Sequence, residues 1–88
     1  MHPRKVQTYF FHVEVDGGRI LDEEGSTFSD LQTVQELAVR AAADLAADDL
    51  KRGIHTVEQF IVVENESGQD VLRVRVVAHV EVQRSQSG

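Results

Sequence analysis

The chain contains no cysteine. Disulfides, thiolate nucleophiles and cysteine-held zinc or iron–sulfur sites are therefore closed to it, which fits a reducing cytoplasm. No run approaches the ~20 apolar residues of a membrane span. No apolar stretch of signal-peptide length follows the basic opening Met1-His2-Pro3-Arg4-Lys5. The expectation is a soluble, cytoplasmic protein. Positive charge is scarce: 9 Lys and Arg stand against 15 Asp and Glu, a net charge of −6. That balance argues against nucleic acid or an anionic membrane held by bulk attraction to phosphate, and leaves a basic protein partner open. Internal repeats and low-complexity segments are also missing.

What is present is one small domain. The 88 residues suit a single unit over 6–83, with flexible termini at 1–5 and 84–88. A chain this short buries only about 60–65% of its unfolded surface, so its stability margin is thin. Further apolar burial, as in a self-association interface, would matter.

Residues 6–15 alternate with period 2. Tyr9, Phe11, Val13 and Val15 take one face, and Phe10, His12 and Glu14 the other, which makes a strand. Asp16-Gly17-Gly18 supplies the positive φ of a tight hairpin turn. Arg19-Ile20-Leu21 returns as a short second strand, and Asp22-Glu23-Glu24-Gly25 makes an acidic turn. Ser29-Asp30-Leu31-Gln32 fits a capping box with Ser29 as N-cap. The helix then runs to the cationic turn Lys51-Arg52 and the C′ glycine Gly53. Leu31, Val34, Leu37, Ala38, Ala41, Ala42 and Leu45 form its core stripe, and Val39, Ala43, Ala46 and Leu50 a weaker one beside it. The alanines of that second stripe read most simply as good helix formers on a half-exposed flank. Residues 57–64 make a third strand, apolar enough through Phe60-Ile61-Val62-Val63 to be covered on both faces. Asn65 to Gln69 make a hairpin loop. The last strand alternates cleanly, with Leu72, Val74, Val76, Ala78, Val80 and Val82 opposite Arg73, Arg75, Val77, His79, Glu81 and Gln83.

The order is ββαββ, an α+β fold with one mostly antiparallel sheet and one long helix on one face. The uncovered face would carry Phe10, His12, Ile61 or Val63, Arg73, Arg75 and Val77. That mixture is too apolar for plain solvent exposure.

Tyr9 to Val13, Asp16-Gly17, Asp22 to Gly25, Asp30-Leu31, Arg52-Gly53 and Ile61 to Gly68 together resemble a short uncharacterised bacterial family, a domain of unknown function. The resemblance spans about Thr8 to Val76, with Arg75-Val76-Val77 standing where the family usually carries Pro-Phe. It implies the ββαββ layout and no activity. A second likeness is to small antitoxins of the hic type, which also run from a Tyr-rich strand through an acidic Gly turn to an alanine-rich helix. Their Pro-Asp-Leu-Pro-Gly step is missing here, and Phe28-Ser29-Asp30-Leu31 echoes it only in part.

No catalytic constellation appears. His12 would need partners such as His79 or Glu81 to hold zinc; the plainer account is a packed histidine with local hydrogen bonds. Asp16, Asp22, Glu23 and Glu24 do not fit a calcium loop and read as solvated turn chemistry. Gly17-Gly18 lacks the lysine and following hydroxyl of a phosphate loop. Arg73 and Arg75 share a face with Phe10, as in single-strand nucleic-acid platforms. Pairing with Glu14, Glu64 or Glu66 explains them as well. The expected function is a non-catalytic protein-interaction module that self-associates, with no cofactor or metal and with Phe10, His12, Ile61, Arg73 and Arg75 at the interface. The alternative is an acidic, antitoxin-like inhibitor of a basic protein.

Overall fold

The computed structural model describes residues 5–85. The expectation of flexible ends therefore falls, for residues 1–4 and 86–88, outside the described residues. Five strands and one helix follow in the order β1 (Gln7–Val15), β2 (Gly18–Ile20), β3 (Ser26–Phe28), α1 (Leu31–Lys51), β4 (Thr56–Glu64) and β5 (Asp70–His79). The sheet runs β2-β1-β4-β5, antiparallel throughout, and β3 also pairs with β1. The fold is α+β as expected, with one strand more. At three residues, β3 is too short to show an alternation.

The turn chemistry sets the first hairpin. Asp16 and Gly17 have φ of +49° and +76°, so a two-residue loop joins Val15 to its partner Gly18. Positive φ at both central residues gives the turn twist that matches paired strands.

The helix is fixed at both ends. Asp30, not Ser29, is the N-cap: its carboxylate accepts the Thr33 N–H at 2.7 Å. The carboxamide of Gln32 turns outward to Glu36 at 3.5 Å instead of closing a capping box. At the other end Gly53, at φ +91°, donates to the Leu50 carbonyl, and Ile54 donates to that of Asp49. These two bonds satisfy carbonyls that the last turn leaves open.

Val34, Ala38, Ala42 and Ala46 form one i,i+4 row and are all buried against the sheet. Small side chains there bring the helix backbone close to the strands. Ala46 thus belongs to the contact row and not to an exposed flank. Tyr9, Ile61 and Val63 meet that row, and Phe11, Val13, Phe28, Leu45, Leu72, Val74 and Val76 pack around it. Phe28 is delivered by β3 and lies 6.2 Å from the Tyr9 ring and 6.0 Å from that of Phe11.

Candidate functional site

The strand register decides what lies on the face away from the helix. Phe10 stands opposite Glu64, His12 opposite Val62 and Glu14 opposite Phe60. On the far side of β4, Val62 faces Arg73, Phe60 faces Arg75 and Glu58 faces Val77. Phe10, His12, Arg73 and Arg75 therefore share this face, as the alternation predicted. Ile61 does not. It is 2% exposed and packs beneath the helix together with Val63. The near-continuous apolar run of β4 hid its parity; Phe60 and Val62 occupy the open face.

That face is closed over by its own side chains. The Arg73 guanidinium sits 4.1 Å above the Phe60 ring, and its Nη1 lies 2.9 Å from Glu14 Oε1. Because β4 runs between β1 and β5, this pair reaches across it. The other Glu14 oxygen accepts from Arg19 Nε at 3.1 Å and Nη2 at 2.5 Å. The Arg19 bonds, with Arg73 adding to them, hold the Glu14 carboxyl below the usual carboxylate range against some desolvation. Val62 lies between Arg73 and His12 in the register and is only 1% exposed. Both faces of β4 are thus covered, one by the helix and one by this canopy. Arg75 pairs with Glu58 at 2.5 Å, a partner not among the three expected. The hollow of about 590 Å³ beside the canopy is lined by Glu14, Asp16, Arg19, Glu58, Phe60 and Arg73; Glu14, Arg19, Glu58 and Arg73 are already paired with one another or with Arg75.

His12 is a packed histidine. It is 4% exposed, and its Nδ1 accepts the Asp22 N–H at 3.1 Å. Its Nε2 lies 3.8 Å from Glu64 Oε2, and its ring stacks parallel to Phe10 at 6.4 Å. His79, one of the partners a zinc site at His12 would need, is opposite Thr56 at the other end of β5 and bonds to its hydroxyl at 3.1 Å. The register keeps the two apart, so they do not form a zinc site. No group of three His, Asp or Glu able to hold a metal occurs among the described residues.

Asp22 is a structural residue and not, as the acidic turn suggests, plain solvated turn chemistry. Its Oδ2 accepts the Phe11 N–H at 3.1 Å; its Oδ1 accepts those of Gly25 at 3.1 Å and Glu24 at 3.3 Å. The Phe11 bond first, then the other two bonds and the nearby His12, pull its carboxyl below the ordinary value despite burial.

What stays open is an edge. β5 ends the sheet, and no strand pairs with its outer side among the described residues. Val77 is 57% exposed on it, and in the segment after His79 Val80 and Val82 are exposed as well, Val82 at 67%. An unpaired strand edge with exposed valines is a template for another strand. The alternation in the sequence runs on to Gln83, but β5 ends at His79, opposite the first residue of β4, and sequence alone did not put this strand at the end of the sheet.

A family model described as Domain of unknown function (DUF6894) matches residues 8–78. No curated protein and no solved structure matches the chain. No helix among the described residues is long and apolar enough to cross a membrane.

Proposed function

We propose that this chain, which belongs to the family of unknown function matched over residues 8–78, is a non-catalytic protein-interaction module that associates with itself. One observation carries the reading: β5 presents a ten-residue free edge, with Val77 exposed on it. Natural sheets protect such edges with charged side chains, bulges, prolines or covering loops; the arginines of β5, Arg73 and Arg75, are tied to Glu14 and Glu58 of their own chain. Here the described bulge lies at Val63/Glu64, at the start of β5 rather than along it. Ile61 is buried beneath the helix and the Arg73 canopy covers the opposite face of β4, so the β5 edge, where Arg73 and Arg75 lie, is favoured over a contact through Phe10 and Ile61.

The test is sedimentation equilibrium on the wild-type chain and on Val77→Pro. Proline deletes an edge N–H without touching the core. Loss of association in the variant, with the melting temperature of the monomer retained, is the expected result. A wild-type chain that stays monomeric across the concentration series would overturn the reading. Capture of a small basic protein by such a monomer would move the function to inhibition of that partner.

A further inference from the structure

Building on the self-association reading, we infer that the β5 edge pairs with β5 of a second copy, antiparallel and in one register, with the twofold axis at Val77. The segment after His79 forms half of the joint.

The direction of the edge groups comes first. The Val80 N–H donates to the His55 carbonyl at 2.8 Å. In an antiparallel ladder the inward and outward groups alternate. The even residues of β5 therefore turn their amides toward β4, while Arg73, Arg75, Val77 and His79 turn theirs to the free edge. A twofold joint must match odd residues with odd ones. It also keeps both helices on the same face of one continuous sheet.

Charge then selects among the remaining registers. An axis at Arg73 or Arg75 sets that arginine against its own twin, and an axis at Val74 sets Arg73 against Arg75. Like charges directly opposite are destabilising. An axis at Val76 leaves Glu81 without an opposite charge. An axis at Ala78 pairs Arg75 with Glu81 but sets Leu72 against Arg84. An axis at Val77 pairs Arg73 with Glu81 twice, once on each side. It also makes Leu72–Val82, Val74–Val80 and Val76–Ala78 pairs on the helix side, and joins the two exposed Val77 side chains to each other.

This register explains why the alternation continues past the end of β4. Val80 and Val82 are exposed in the single chain and gain Val74 and Leu72 as cross-strand neighbours in the pair. Among the described residues, Glu81 accepts the Gln83 carboxamide at 3.4 Å. In the pair it stands opposite Arg73, whose half-exposed guanidinium bonds Glu14 across β4 within its own chain and would be shared between Glu14 and the Glu81 of the second copy.

The absence of native cysteine makes the test clean. Single-cysteine variants Val76→Cys, Val77→Cys and Ala78→Cys are oxidised and run on non-reducing gels. In the Val77 register the two α-carbons of residue 77 lie about 5.5 Å apart, inside the range a disulfide spans. Val77→Cys is expected to cross-link first and most completely. Preferential cross-linking of Val76→Cys or Ala78→Cys would overturn this register while leaving self-association standing. Glu81→Lys, outside the folded core, is expected to weaken the dimer at least tenfold; an unchanged dissociation constant would also overturn the register. A wild-type chain that is monomeric by sedimentation would remove the register and the self-association reading together.

Discussion

Asp22 stands in for a missing strand beside Phe11. Along the outer edge of β1, β3 pairs with Gln7 to Tyr9 and β2 with Val13 to Val15. The gap between them is filled by the Asp22 carboxylate, which accepts the Phe11 N–H at 3.1 Å. A buried amide left without an acceptor costs roughly 1–3 kcal/mol. Asp22→Ala is therefore expected to lower unfolding free energy by about 2–3 kcal/mol, and Asp22→Asn by about 1–2 kcal/mol, since the amide keeps only one acceptor. Urea denaturation measures both.

The same carboxylate predicts a pH dependence. Its folded pKa lies below the ordinary value. Its contribution is then fully present above about pH 3.9 and is lost as pH falls through the lower, folded value. The stability advantage of wild type over Asp22→Asn should stay constant from neutral pH down to about 5 and shrink below about 3.9. An advantage that grew with acid would contradict the assignment.

Gly25 is fixed by both conformation and space. Its φ is +70°, and a Cβ would sit 2.8 Å from Thr8 Cγ2 and 2.9 Å from Phe10 Cε1. Gly25→Ala should cost more than about 2 kcal/mol, above the ~1–2 kcal/mol of left-handed backbone alone. Gly53, also at positive φ, has open space around it. Gly53→Ala should therefore cost less than Gly25→Ala in the same assay.

Ala42 is buried in the helix row that faces the sheet. Ala42→Leu has nowhere to place its added atoms and should destabilise by about 1–3 kcal/mol. Ala43→Leu, one residue away on the exposed side, should leave the melting temperature nearly unchanged.

The canopy makes a graded prediction. Phe60→Ala removes the ring that carries Arg73 and should cost about 2 kcal/mol. Glu14→Gln weakens two partly exposed ion pairs, to Arg19 and Arg73, and should cost much less, with an effect that fades as salt is added. A Glu14→Gln effect equal to that of Phe60→Ala would mean that charge, and not apolar cover, holds the face together.

The local rules carried much of this fold. Asp16-Gly17 specified the hairpin because few sequences take two positive φ values in succession, and Gly53 marked the helix end for the same reason. The period of Tyr9 to Glu14 gave β1 its two faces, which placed Phe10 and His12 correctly. The likeness over Thr8 to Val76 pointed to the right family. Ile61 escaped that logic. A strand apolar on both sides has no polar phase, so Ile61 and Val62 exchange faces without any change in pattern.

Other features depended on partners distant in sequence. The Arg73 bond to Glu14 spans three strands and needs the order β1-β4-β5, which hairpin neighbours alone do not give. Asp22 looked like turn chemistry because its acceptor role exists only once β2 and β3 leave a gap opposite Phe11. The β5 edge is open because the sheet order puts that strand last. Sequence by itself determined the elements apart from the three-residue β3, the first hairpin turn, the helix end at Gly53 and the faces of the alternating strands, since these follow from local sterics and period. Tertiary structure alone decided which face of β4 lies under the helix, which charges meet above it and which edge stays unpaired, since these follow from the arrangement of strands far apart in the chain.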